Sequence, residues 1–301
     1  MFKGSFVALI TPFTDDGAVD EAAFQSLVEW QIAEGTHGLV PCGTTGESPT
    51  LSHAEHRRVT ELCIEAAAGR VPVIAGTGSN STEEAIALAC HAKKAGADGH
   101  LLVTPYYNKP TQEGLYRHFK AVHDAAALPL IIYNIPGRSI VDMSLETMQR
   151  LAALPNVVGT KDATNDLARP LETRIALGPD FCILSGEDAT AVALLAQGGD
   201  GCISVTANIA PRACAAMHEA WQAGDLVAMR RYNEQLMPLH KALFCETSPG
   251  PVKYAASLLG LCTPHLRLPL CEIAESSKKT VASALASAGL LAQRDRAGAA
   301  E

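Results

Sequence analysis

His100-Leu101-Leu102-Val103 is a short apolar run, Leu115, Phe119 and Val122 follow it at helical spacing, and Leu130-Ile131-Ile132-Tyr133 is a second apolar run. Short runs rich in β-branched and aromatic side chains read as buried strands, and apolar positions three to four apart read as one face of a helix. Segment 100–133 is therefore a strand, a helix and a strand. The same unit recurs on both sides. Residues 6–10, 38–41, 71–75, 157–160, 181–184 and 202–205 complete eight strand candidates, spaced roughly every 28 residues. Between them Phe24/Leu27/Val28/Ile32 and Val59/Leu62/Cys63/Ala66 keep the helical period. Ser52 with Glu55, and Ser81 with Glu84, fit a capping box, in which a hydroxyl and a carboxylate satisfy free N–H groups at a helix start.

Eight successive βα units are what a (β/α)8 TIM barrel requires, whereas an open doubly wound sheet normally uses fewer strands. The fold class is α/β. From Asp225 the strand pattern stops, and 226–243, 251–259 and 276–291 read as helices. The expected organisation is a catalytic barrel over 1–224, a small C-terminal α-helical domain over 225–291 and a disordered tail over 292–301.

Composition narrows the function. With 301 residues, 48% hydrophobic and 19% charged, the chain has the balance of an ordinary globular protein. The formal charge of -8, with no cluster of Lys and Arg longer than a pair, argues against nucleic acid as a partner. Residues 6–10 are too few for the core of a signal peptide, and no apolar run is long enough for a membrane span. Nine cysteines, an odd count without a CxxC pair, read as reduced thiols in a cytoplasmic protein.

In such a barrel the reactive groups sit at the C-terminal ends of the strands. That filter leaves Gly43-Thr44-Thr45-Gly46-Glu47, Thr104-Pro105-Tyr106-Tyr107, Tyr133-Asn134 with Arg138, Lys161-Asp162 and Ser185-Gly186-Glu187-Asp188. Of ten lysines, Lys161 is the one that closes an apolar strand candidate. An amine in a barrel mouth sheds hydration, which favours the neutral, nucleophilic form that builds a Schiff base on a keto acid. The competing reading is a structural ion pair of Lys161 with Asp162 or Glu187. Schiff-base chemistry needs a proton shuttle, for which Tyr133, Thr44 and Tyr107 offer hydroxyls. Arg138 presents a planar fork to one carboxylate, and the 43–46 turn offers N–H groups and hydroxyls to a second. Glu187-Asp188 stand where a barrel would hold phosphate, so a non-phosphorylated substrate is expected. His53 and His56 lack a nearby third ligand, and enamine chemistry uses neither metal nor organic cofactor, so none is expected.

Six stretches carry a family resemblance: Gly43-Thr44-Thr45-Gly46-Glu47-Ser48, Ala75-Gly76-Thr77-Gly78, Val103-Thr104-Pro105-Tyr106-Tyr107-Asn108, Tyr133-Asn134-Ile135-Pro136-Gly137-Arg138, Gly159-Thr160-Lys161-Asp162-Ala163-Thr164 and Ile203-Ser204-Val205-Thr206-Ala207-Asn208. With them the sequence, from Phe2 to about Leu291, resembles the 4-hydroxy-tetrahydrodipicolinate (dihydrodipicolinate) synthase family of pyruvate-dependent class I aldolases. The resemblance implies condensation of pyruvate with L-aspartate 4-semialdehyde, the first committed step of diaminopimelate and lysine biosynthesis. It makes Lys161 the Schiff-base lysine, Tyr133 the proton donor and acceptor, and Thr44 and Tyr107 the rest of the relay. It sets Thr45 on the pyruvate carboxylate, Arg138 at the entrance on the semialdehyde carboxylate, and the backbone carbonyls of Gly186 and Ile203 near the pyruvate. It also implies an L-lysine effector site of Ser48, His53, His56, Asn80, Glu84 and Tyr106, and a homotetramer of two tight dimers in which Tyr106 or Tyr107 crosses to a neighbour. Two alternatives share much of this pattern. Another pyruvate-dependent enzyme, such as an N-acetylneuraminate lyase or a 2-keto-3-deoxy sugar acid aldolase, would keep Lys161, Tyr133 and the 43–47 turn, but Arg138 favours a dicarboxylate product. A non-catalytic lysine-sensing barrel would have no use for the full set of Thr44, Tyr107, Tyr133, Arg138 and Lys161.

Overall fold

Alternation along each strand decides what its two faces meet. In the computed structural model, which describes residues 2–291, the strands are β1 Gly4–Ala8, β2 Gly38–Val40, β3 Ile74–Gly76, β4 Gly99–Val103, β5 Leu130–Asn134, β6 Val157–Asp162, β7 Cys182–Ser185 and β8 Gly201–Ser204. One set of positions, among them Phe6, Ala8, Val40, Ile74, Leu101, Ile131, Leu184 and Ile203, forms an apolar cluster that fills the barrel. The alternate set, including Leu102, Leu130, Ile132 and Ile183, packs outward against Leu115, Phe119 and Val122 of the helix Gln112–Ala126. Strands buried on both faces have few polar positions, which is why they read as short unbroken apolar runs.

All strand pairs are parallel, in the order β2-β1-β8-β7-β6-β5-β4-β3. The last seam closes through a parallel bridge between Leu39 and Val73 and through Leu39 N donating to Pro72 O at 3.0 Å. The result is the expected (β/α)8 TIM barrel. The third strand begins at Ile74 rather than at 71, because Pro72 has no N–H to give the ladder and Val73 N is taken by Asp98 Oδ2 at 2.8 Å.

Helix His53–Ala67 starts on the expected capping box: Ser52 Oγ accepts from Glu55 N at 3.3 Å, and Ser52 N donates to Glu55 Oε2 at 2.8 Å. The second expected box is not formed. At the start of helix Thr82–Ala95 the Ser81 hydroxyl makes no cap, and the Glu84 carboxylate instead meets the Ser79 hydroxyl and the His53 ring. Ser79 Oγ takes over at the backbone, accepting from Ser81 N at 3.0 Å.

After β8 the described residues contain only helices, among them Pro211–Gln222, Leu226–Ala242, Gly250–Leu258 and Glu275–Ser287. Leu236, Leu239, Val252, Ala255, Val281 and Leu285 from this region join Phe13, Phe24, Leu27, Val59 and Leu62 in one buried cluster. Each fully buried Leu, Val or Phe contributes about 1.5–3 kcal/mol, so the C-terminal helices are firmly seated on the first two βα units. The expected tail, 292–301, lies outside the described residues. No described helix is long and apolar enough to cross a membrane.

Candidate active site

A one-residue irregularity in the β5–β6 ladder builds the centre. Leu130 pairs with Val157 but Ile131 pairs with Gly159, so Tyr133 stands opposite Lys161 instead of Thr160. Because side chains alternate across a sheet, that extra residue turns Lys161, and not its neighbour, to the face that carries Tyr133. Lys161 is only 6% exposed. Its Nζ lies 4.1 Å from the centroid of the Tyr133 ring, within the range of cation–π attraction.

No carboxylate pairs with this amine among the described residues. Asp162 accepts from Thr164 N at 2.8 Å and Thr164 Oγ1 at 2.7 Å, with Arg169 Nε at 3.7 Å. Glu187 lines the same cavity as Lys161 without reaching it, and burial raises its carboxyl above the usual range. The ion-pair reading of Lys161 therefore has no geometry to rest on. Gly186 explains how β7 fits so closely: a Cβ there would lie 2.7 Å from Ala163 Cβ and 3.1 Å from Lys161 Cε.

Around the amine opens a cavity of about 290 Å³ lined by Thr44, Thr45, Tyr133, Arg138, Lys161 and Gly186, six of the eight residues expected of the site. Thr45 is buried and Arg138 is exposed, which puts the guanidinium at the mouth. The other two residues lie elsewhere. Tyr107 is 87% exposed, on a left-handed backbone at φ 73, and is not part of the lining. Ile203 belongs to the apolar filling of the barrel. The hydroxyls of Thr44, Tyr107 and Tyr133 share no hydrogen bond in the single chain.

A second cavity, of about 210 Å³, lies beside the first and is lined by Ser48, Pro49, His53, His56, Glu84 and Tyr106 among others. Ser48 and Gly78 face both cavities, so the wall between them is thin. The Glu84 carboxyl is held below its usual range, chiefly by the Ser79 hydroxyl and further by His53. Burial pushes the His56 imidazole down to about 4, with His91 acting the same way. Asn80 is not in the lining; its Nδ2 donates to Tyr106 O at 3.2 Å and its carbonyl accepts from Asn108 Nδ2 at 2.9 Å, which ties the loop carrying Tyr106.

Residues 1–288 match the Dihydrodipicolinate synthetase family. The chain belongs to that family. It is 69% identical to the 4-hydroxy-tetrahydrodipicolinate synthase of Rhodospirillum centenum, across 97% of this chain and 100% of the relative. Among solved structures it is similar to the chloride-inhibited dihydrodipicolinate synthase of Acinetobacter baumannii complexed with pyruvate, at TM-score 0.94 and 49% identity over 96% of this chain and 100% of that one. It is also similar to the dihydrodipicolinate synthase of Cyanidioschyzon merolae with lysine bound, at TM-score 0.93 and 40% identity over 96% and 99%.

As a member of this family the chain is a lyase of the class I aldolase type. Its cavity is also lined by residues not expected of the site. Phe244 and the buried Ser248 line it from the segment after helix Leu226–Ala242. Cys42 and Asn165 line it too, each on a left-handed backbone. Burial raises the Cys42 thiol to about 12, which keeps it protonated and inert.

Proposed function

We propose that the protein condenses pyruvate with L-aspartate 4-semialdehyde to 4-hydroxy-tetrahydrodipicolinate, at the first committed step of diaminopimelate and lysine biosynthesis. The observation that carries the reading is Lys161: buried, unpaired with any carboxylate of the described residues, and set against Tyr133 in a cavity with Thr44 and Thr45 on its wall and Arg138 at its mouth. In this reading the Lys161 amine attacks the keto carbon of pyruvate, and water leaves to give the Schiff base. Loss of a methyl proton gives the enamine, whose carbon attacks the aldehyde of the second substrate. The amine of that substrate then displaces Lys161 and closes the ring.

Tyr133, Thr44 and Tyr107 move the protons, Thr45 and the backbone carbonyls of Gly186 and Ile203 seat the pyruvate, and Arg138 takes the semialdehyde carboxylate. The exposure of Tyr107 supports a relay completed across subunits in a homotetramer of two tight dimers, each chain lending its tyrosine to a neighbour. Residues 1–224 act as the catalytic barrel and 225–291 as a helical domain that backs it. The reading needs no metal or organic cofactor and places the enzyme in the cytoplasm.

The second cavity fits L-lysine as an inhibitor. Glu84 offers a carboxylate to an ammonium group, and Ser48, His53, His56 and Tyr106 supply polar walls, with Asn80 close by for the effector's carboxylate. The test of the main reading is to follow pyruvate consumption with L-aspartate 4-semialdehyde against cleavage of N-acetylneuraminate and of 2-keto-3-deoxy sugar acids. Turnover with the semialdehyde is expected, and activity confined to a sugar acid would overturn the assignment.

A further inference from the structure

Besides Lys161, one other lysine is buried. Lys253, in helix Gly250–Leu258, has no exposed surface, and its Nζ donates to Glu47 Oε1 at 2.7 Å. The side chain of Glu47 is equally inaccessible, and its second oxygen accepts from the backbone N of Arg267 at 3.1 Å. Lys253 Nζ and Arg267 Cζ lie 4.0 Å and 4.3 Å from the centroid of the Phe13 ring. The Arg267 guanidinium also donates to Thr50 O at 2.8 Å and to both oxygens of Glu55. Lys253 from a C-terminal helix and Arg267 from the link that follows it thus hold segment 47–55 at both ends.

That segment continues the turn that faces the Lys161 amine. Gly43 O accepts from Gly46 N and Ser48 N, and Thr44 O accepts from Glu47 N at 3.1 Å. Glu47 closes the turn on a left-handed backbone, at φ 55 and ψ 35, a conformation that side-chain-bearing residues seldom adopt without outside support. The carboxylate of the strained residue is the one gripped by Lys253. The buried pair, the left-handed Glu47 and the turn that carries Thr44 and Thr45 in the cavity wall are thus contiguous.

We infer that Lys253, acting through Glu47, is a positioning residue for the keto acid: the buried ion pair sets where the 43–48 turn places Thr44 and Thr45. A buried ion pair is a poor source of stability compared with apolar packing, but it is specific in geometry, which is what a binding turn requires. The inference rests on the Schiff-base reading above.

The test replaces both charges with groups of similar size, Lys253→Met together with Glu47→Gln, so that no lone charge is left buried. In the folded variant the KM for pyruvate rises about tenfold while the KM for the semialdehyde stays within about twofold. A role in folding alone lowers the active fraction, hence the measured kcat, and leaves KM unmoved. Glu47→Gln by itself keeps an oxygen opposite Lys253 but leaves that buried amine without its counter-charge, and in the protein that folds a rise of about threefold in the pyruvate KM is expected. A pyruvate KM within about twofold of wild type in either folded variant would overturn the inference. Borohydride trapping of pyruvate on wild-type Lys161 separates the two claims: no adduct overturns both, whereas an adduct with unchanged variant KM overturns the positioning role alone.

Discussion

Lys161 and Lys253 are two buried lysines that sit at almost the same distance, 4.1 Å and 4.0 Å, from the centre of an aromatic ring. They differ in what else they touch. Lys253 is pinned to a carboxylate inside packed protein, where burial lowers its pKa and Glu47 opposes the shift. Lys161 has no carboxylate partner among the described residues and opens onto about 290 Å³ of cavity. Partner and solvent access, rather than burial, separate a lysine that holds structure from one able to form a covalent bond. Replacing each in turn breaks that comparison in different ways.

The largest effect is expected at Lys161. Lys161→Ala lowers kcat by at least about a thousandfold, since the covalent route is lost, while the melting temperature holds or rises because a buried polar group is removed. Initial rates and a thermal melt check both halves, and retained turnover would move the nucleophile elsewhere. Lys253→Met alone does the reverse. It leaves the Glu47 carboxylate buried without its cation and costs about 3–5 kcal/mol, read from the urea midpoint. A loss below about 1 kcal/mol would show that the pair does not hold the turn.

Arg138 sharpens the catalytic side of the comparison. Arg138→Gln raises the KM for the semialdehyde about tenfold or more with the melting temperature unchanged, if this exposed fork takes the substrate carboxylate as proposed. In the second cavity, Glu84→Gln raises the L-lysine concentration for half-inhibition about tenfold. A wild-type rate that stays flat to millimolar L-lysine would refute the effector reading itself.

The last effect is general. His56, His100, His118 and His218 are each pushed down to about 4 by burial. A histidine whose folded pKa is lowered binds more protons when unfolded, so its stability contribution is full above about 6.5 and is lost as pH falls toward 4. The melting temperature is expected to drop through that window. None of the four lines the Lys161 cavity, so a flat melting curve across it would contradict the burial of these rings and not the mechanism.

The barrel was legible because eight doubly buried strands leave eight unbroken apolar runs, and the strand-end rule then isolated Lys161, Tyr133, Thr44, Thr45 and Arg138. Local chemistry misled where other partners competed: Glu84 satisfies a capping pattern with Ser81 yet turns to the Ser79 hydroxyl and to His53, 31 residues away. Lys253 sits in an apolar run much as Lys161 does, and nothing local reveals that Glu47, 206 residues before it, waits as its partner. Phe244 and Ser248 reach the cavity from a link between helices, which no periodicity marks. The β5–β6 irregularity that aims Lys161 is likewise a property of the pairing and not of either strand.

The central claim is tested most directly by treating the protein with pyruvate and borohydride and mapping the reduced adduct by peptide mass spectrometry. One pyruvate adduct is expected, on the peptide carrying Lys161, with Lys253 unmodified. No adduct, or one at any other lysine, would contradict it.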